Sequence, residues 1–224
     1  GLMVVLATVY TYLGGIEAVI WTDVLQAVVL VGGAIVTIYV IAGSVDGGLG
    51  GLFTAAKEAG KLRLAEIDWG ADSYTKPVLW VILIGGIFQN IASYGSDQAV
   101  VQRYLTTRDE KSAAKAIWTN ALLAIPIPAL LFFVGAALYV YYQQNPVELS
   151  PGLTTKQVFP LFMVQSLPPG ISGLVIAGLL AATMSTLDSS MNSVSAVFVT
   201  DFYRRFRPDK AEGHYLKLAR LTTV

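Results

Sequence analysis

The residues best suited to chemistry lie together in one apolar run. Leu179 to Ser195 reads LLAATMSTLDSSMNSVS and carries Thr183, Ser185, Thr186, Asp188, Ser189, Ser190, Asn192 and Ser193 within a stretch of membrane-spanning length. Each such group costs free energy in hydrocarbon unless it is satisfied, and an ionisable one at the bilayer centre costs at least about 2.5 to 3.5 kcal/mol on insertion scales. On a helix Ala182, Ser185, Thr186 and Ser189 stand at i, i+3, i+4 and i+7 and share one face. Two readings stay open. Small residues and hydroxyls can form a seam for close helix packing; with Asp188 beside them they can instead line a path for an ion or solute.

Two more acids, Glu17 and Asp23, begin an earlier apolar run beside Trp21, Thr22 and Gln26. Either can be a helix-start anion favoured by the dipole or part of a cation site. All fifteen Lys and Arg fall in four polar segments and none in an expected span. Glu17, Asp23 and Asp188 are therefore expected to lack basic partners. Carboxylates near hydroxyls and carbonyls are hard oxygen ligands, and Na+ or H+ is their natural guest.

The surrounding chain is an integral membrane protein by composition. Of 224 residues 54% are hydrophobic and 13% charged, against about 25% charged in soluble domains. Lys plus Arg and Asp plus Glu are both 15, and no nucleic-acid partner is expected. With no cysteine, disulfides, thiol catalysis and thiolate metal sites are excluded, and the single His214 cannot form a histidine cluster. The chain starts at Gly1 in an apolar run too short for a full span and stops at Val224 in mid-segment. It is expected to be an internal piece of a longer protein.

Hydropathy and breakers place spans at about 1-13, 17-42, 77-98, 115-142 and 170-202. Gly14 and Gly15 suit a tight turn between the first two. A short amphipathic helix is expected over Leu52 to Gly60, and Asp68, Trp69 and Tyr74 suit an interface. The third span has Pro77 in its first turn and a polar patch of Gln89, Asn90, Ser93 and Tyr94 among Gly85, Gly86 and Gly95, where unwinding is expected. Pro126 and Pro128 should kink the fourth, which ends in an aromatic belt of Tyr139, Tyr141 and Tyr142. The fifth run, to about Tyr203, is too long for one crossing and should bend or leave the bilayer. Ten Lys and Arg in 99-115 and 203-220 against five in 43-77 and 143-166 put loop 99-114 and tail 203-220 in the cytoplasm, with loops 43-76 and 143-169 outside.

Three stretches, YTYLGGIEAVIWTDVLQ at 10-26, YGSDQAVVQRYLTTRDEKSAAKA at 94-116 and AGLLAATMSTLDSSMNS at 177-193, resemble the sodium:solute symporter family. Its members include sodium/glucose, proline, iodide, monocarboxylate, vitamin and sialic acid symporters. The resemblance implies an all-α, leucine-transporter-like fold of inverted repeats, with this chain covering about the end of core helix 4 through core helix 8. By the same resemblance Ala182, Ser185 and Thr186 match a family sodium site. A second sodium site would map to Asp23, Ser185 and Ser189, with Asp188 as an added ligand, a proton carrier or a residue facing another helix. Asn90, Ser93 and Tyr94 match solute-contacting positions.

The function implied is Na+-coupled uptake of a small polar organic solute across the plasma or inner membrane by alternating access, the solute being an organic acid or monocarboxylate, a sugar or a sialic acid. A transporter-like membrane sensor and an H+-coupled carrier are the alternatives. Enzyme activity is not expected, because no His, Lys or second motif-placed acid stands near a serine to activate it. Repeated filter-like segments of a channel are also missing.

Overall fold

A computed structural model describes residues 2–63, 69–70, 78–146 and 154–223. Asp68, Tyr74 and Pro77 lie outside the described residues. The helices, in chain order, are α1 (Leu2–Gly43), α2 (Gly48–Glu58), α3 (Leu79–Ser96), α4 (Gln98–Leu105), α5 (Glu110–Leu123), α6 (Pro126–Gln144), α7 (Thr155–Gln165), α8 (Ile171–Val197), a π-helical turn at Phe198–Tyr203, α9 (Arg204–Phe206) and α10 (Glu212–Thr222). Four stretches, Met3–Gly43, Leu79–Ser96, Glu110–Gln144 and Ile171–Phe206, are long and apolar enough to cross a membrane.

The 42 residues of α1 are two helical rods joined at Gly15, whose φ of 61° and ψ of −152° lie outside the helical region. That conformation is open essentially to glycine alone. An unbroken rod of this length would measure roughly 60 Å, about twice the hydrocarbon thickness.

One compact unit comprises residues 1–30, 94–117 and 177–224. Here α1 approaches α8 closely: a Cβ added to Gly178 would lie 3.2 Å from Leu30 Cα and from the Val29 carbonyl oxygen. The far end of α8 is tied to α10 through Ser195, whose hydroxyl donates to the Ala219 carbonyl at 2.5 Å and lies 2.8 Å from Thr222 Oγ1.

The second unit, residues 31–93 and 118–176, holds the largest apolar core. Ile38 and Ile41 of α1, Leu52 and Ala56 of α2, Ala137 of α6 and Phe162 of α7 are buried in it. Leu52 and Ala56 stand at i and i+4, so the amphipathic pattern of α2 turns one stripe inward. α7 starts on a capping box in which Gln157 accepts from the Thr154 backbone N–H at 2.9 Å.

Several expectations are corrected. α3 runs helical through Gly85, Gly86 and Gly95, so the polar patch is not unwound. The interruption falls instead at Asp97, extended at φ −73° and ψ 114°, whose carboxylate accepts from Ala99 N and caps α4. The fourth span is interrupted at Pro126 as expected, although by a turn at 124–125 after which Pro126 opens a new helix at its first position, where its missing N–H costs nothing. The three tyrosines do not form an exposed belt. Tyr141 and Tyr142 are buried, and the Tyr141 ring meets Phe162 edge-on with centroids 5.0 Å apart. Tyr139 alone stays partly open, with the Lys61 ammonium 4.2 Å from its ring centre.

Candidate functional site

The polar residues of α8 divide by the direction of their hydrogen bonds. Thr183, Thr186 and Ser190 donate to carbonyls four residues back, of Leu179, Ala182 and Thr186, at 3.1, 3.2 and 2.8 Å. These hydroxyls satisfy themselves within the helix. Ser185, Asp188 and Ser189 instead reach other elements.

Ser185 donates to Asp23 Oδ1 of α1 at 2.5 Å. The other carboxylate oxygen, Oδ2, takes a guanidinium N–H of Arg103 from α4 at 2.5 Å, and the same nitrogen donates to Ser189 Oγ at 2.8 Å. Ser185 thus holds Asp23 directly from α8, while Ser189, one helical turn on, reaches it only through the Arg103 nitrogen that bridges the two. The expectation that Asp23 lacks a basic partner is overturned. Arg103 belongs to a polar segment just past α3, but the turn at Asp97 carries α4 back to the start of α1's second rod, within reach of the acid.

Asp188 lies elsewhere. It is fully buried, and Oδ2 accepts the hydroxyl hydrogen of Tyr10 from the first rod of α1. Oδ1 is buried without a hydrogen-bond partner among the described residues. One residue is about 100° of helical rotation, so Asp188 and Ser189 leave α8 in different directions. Asp23, Ser185 and Ser189 thus fall into one group with Arg103, and of the roles open to Asp188 the geometry matches a residue facing another helix, paired to Tyr10.

Chemically, the Asp23 group is a carboxylate bonded to one hydroxyl and to a guanidinium that carries a second hydroxyl. No group of three or more His, Cys, Asp or Glu that could hold a metal occurs among the described residues. The oxygens present suit a singly charged hard ion rather than a multiply charged one.

A family model, the sodium:solute symporter family, matches residues 1–224. The chain belongs to the sodium:solute symporter family. This symporter-family chain is 41% identical over 225 residues to the sodium/sialic acid symporter SiaT of Proteus mirabilis, covering 100% of this chain and 45% of that protein. It is 39% identical over 221 residues to the sodium/sialic acid symporter NanT of Aliivibrio fischeri, with coverages of 98% and 43%. A solved structure of a substrate-bound, outward-open Na+-coupled sialic acid symporter, described as having a novel Na+ site, superposes with a TM-score of 0.86 at 39% identity, covering 99% of this chain and 47% of that one. The chain spans about half the length of the curated relatives it matches. Helical among the described residues, its fold is of the leucine-transporter-like class, and it is a membrane protein.

The remaining candidate residues of the symporter-family chain are engaged locally. Asn90 Nδ2 donates to the Gly86 carbonyl at 2.7 Å, and Ser93 Oγ accepts from Gln89 at 3.4 Å. Asn90, Ser93 and Tyr94 share one face of α3 by their spacing. The Tyr94 ring stacks on Tyr104 of α4 with centroids 6.5 Å apart, and burial together with Tyr94 pushes the Tyr104 hydroxyl pKa up. Ala182 and Thr186 are joined by the Thr186 hydroxyl on the Ala182 carbonyl, which places two of the three expected sodium oxygens 3.2 Å apart. Glu17 is exposed near the start of the second rod. Sequence reasoning missed Arg103 and Tyr10 as partners. Tyr10 opens the first of the three family-like stretches, but nothing in its spacing points to α8.

Proposed function

We propose that this protein works as part of a Na+-coupled secondary transporter that carries a small polar organic solute across the plasma or inner membrane by alternating access. The observation that carries this is the Asp23 group: a carboxylate held by the Ser185 hydroxyl and linked through Arg103 to the Ser189 hydroxyl, set between α1 and α8 of an apolar helical protein. Such oxygens can bind a monovalent cation and release it again, which a transport cycle requires.

Na+ is the proposed cargo, with Ala182, Ser185 and Thr186 as one site and Asp23, Ser185 and Ser189 as a second. Family membership and the names of the sialic acid symporters among its relatives support Na+ over H+ and favour a sialic acid or similar acidic sugar as solute. Asn90, Ser93 and Tyr94 are the proposed solute contacts, since α3 presents them together on one face. Each Na+ moving down the membrane potential supplies about 2.3 kcal/mol per 100 mV, enough alone for a roughly fiftyfold solute gradient.

The deciding experiment is uptake by the full-length protein in proteoliposomes, with and without a Na+ gradient, over sialic acid, monocarboxylates, sugars and amino acids. Solute accumulation that follows the Na+ gradient is expected. Accumulation driven by a pH gradient and indifferent to Na+ would replace Na+ by H+, and absence of any transport would favour a sensor role.

A further inference from the structure

The Asp23 group already contains a cation, and the protein supplies it. A single terminal nitrogen of Arg103 lies 2.5 Å from Asp23 Oδ2 and 2.8 Å from Ser189 Oγ, while Ser185 holds the other carboxylate oxygen. The guanidinium nitrogen therefore bridges Asp23 Oδ2 and Ser189 Oγ, two of the oxygens assigned above to the proposed second sodium site.

We propose that Arg103 is a tethered competitor for the second cation site: Na+ binds at Asp23 only as the Arg103 guanidinium withdraws, so Arg103 sets the Na+ affinity of that site. The proposal rests on the Na+-coupled reading above and goes beyond it by assigning a role to a residue outside both sodium sites.

Charge and exposure support the exchange. With Arg103 in place the carboxylate is neutralised; a second cation beside the guanidinium would be repelled at contact distance, so the two exclude each other. The Asp23 side chain is 18% exposed and that of Arg103 40%. The acid is thus sheltered, whereas the guanidinium is already part-way into solvent and can be rehydrated as it leaves. The geometry of α4 lets the side chain move while its helix stays. The α4 N-terminus is capped by Asp97, Tyr104 stacks on Tyr94, and the Arg103 carbonyl accepts the Thr106 hydroxyl at 2.7 Å. None of these contacts uses the guanidinium.

A purely structural ion pair and a competing one differ in sign. Deleting a structural partner would disorder Asp23 and raise the Na+ requirement. Deleting a competitor lowers it. In purified full-length protein, Arg103→Gln is expected to reduce the Na+ concentration for half-maximal thermal stabilisation by about tenfold, the scale of one charge-assisted hydrogen bond. Arg103→Lys, which keeps the charge, is expected to stay near wild type, and adding Asp23→Asn to Arg103→Gln should abolish the gain.

Wild-type protein gives an independent test that needs no variant. Phenylglyoxal labelling of Arg103, read by peptide mass spectrometry, should rise severalfold when Na+ replaces choline. Labelling indifferent to Na+, or a Na+ requirement unchanged or raised in Arg103→Gln, overturns the proposal. Uptake by the wild type that ignores Na+ would instead remove the coupled-transport reading, so the two failures are told apart.

Discussion

The Tyr10 hydroxyl donates its hydrogen to Oδ2 of Asp188 across 178 positions of sequence, joining the first rod of α1 to the middle of α8. Asp188 is the most deeply buried acid described in the chain, at 0% exposure, and its second oxygen has no partner among the described residues. Removing the phenol hydroxyl leaves the carboxyl with neither oxygen matched. Tyr10→Phe should therefore destabilise the full-length protein by about 1–3 kcal/mol, the cost of an orphaned buried polar group. Combining it with Asp188→Leu should cost less than the two single changes added together, because the apolar pair has no group left to satisfy. Thermal unfolding in detergent, followed for all three variants, measures the coupling; strict additivity would show that the two side chains do not act as a pair.

Ser185 and Thr186 are adjacent but differently engaged, and their variants should differ accordingly. Thr186 bonds its own helix at Ala182, whereas Ser185 holds Asp23. Loss of one such hydroxyl is worth about 0.5–1.5 kcal/mol, or a roughly two- to tenfold rise in the Na+ concentration for half-maximal uptake. Ser185→Ala is expected at the upper end, since Ser185 belongs to both proposed sodium sites and its loss also frees Asp23 Oδ1. Thr186→Ala is expected nearer the lower end. Uptake by both variants at an unaltered Na+ requirement, with normal insertion, would remove α8 from the cation path.

Gly15 separates the rods of α1 in a conformation that a Cβ disfavours, although nothing lies within 4 Å of where that Cβ would stand. The cost of Gly15→Ala is therefore backbone strain without steric conflict, about 1–3 kcal/mol. The neighbouring apolar change Ala18→Gly keeps the break and is expected to cost only its helix propensity, about 1 kcal/mol. Denaturation midpoints of the two variants in the full-length protein distinguish a conformational requirement at Gly15 from a general loss of helix stability.

The fold was legible where one local rule decides. The apolar runs marked the long helices, the Gly14–Gly15 pair marked the junction in α1, and the small, hydroxyl-rich face of α8 marked the helix that meets Asp23. Helix breaks were less legible, because the three glycines of α3 permit unwinding without requiring it, whereas Asp97 stops the helix by offering its carboxylate to Ala99 N. The site was half legible for a similar reason. Helical spacing put Ser185 and Ser189 on one face, but nothing local tells that Arg103 returns to Asp23 from 80 positions away, or that Asp188 turns to Tyr10. A count of charges by segment locates Arg103 in a loop; only tertiary structure shows where the end of a seven-atom side chain goes.

Asp109 offers a pH test well outside the spans. It precedes α5, and its carboxylate accepts from Ser112 N at 2.7 Å. That backbone hydrogen bond, the largest cause, holds its pKa below the ordinary aspartate value of 3.8. A group whose pKa is lower folded than unfolded stabilises the fold above the unfolded pKa and ceases to as pH falls through the folded one. Protection of the Ser112 amide against hydrogen exchange, corrected for the intrinsic rate, should hold steady from neutral pH down to about 4 and decline below it. Asp109→Asn keeps an acceptor but has no proton to gain, so its protection should start lower and show no decline over the same range. A parallel fall in both proteins would assign the loss to general acid unfolding and not to the cap of α5.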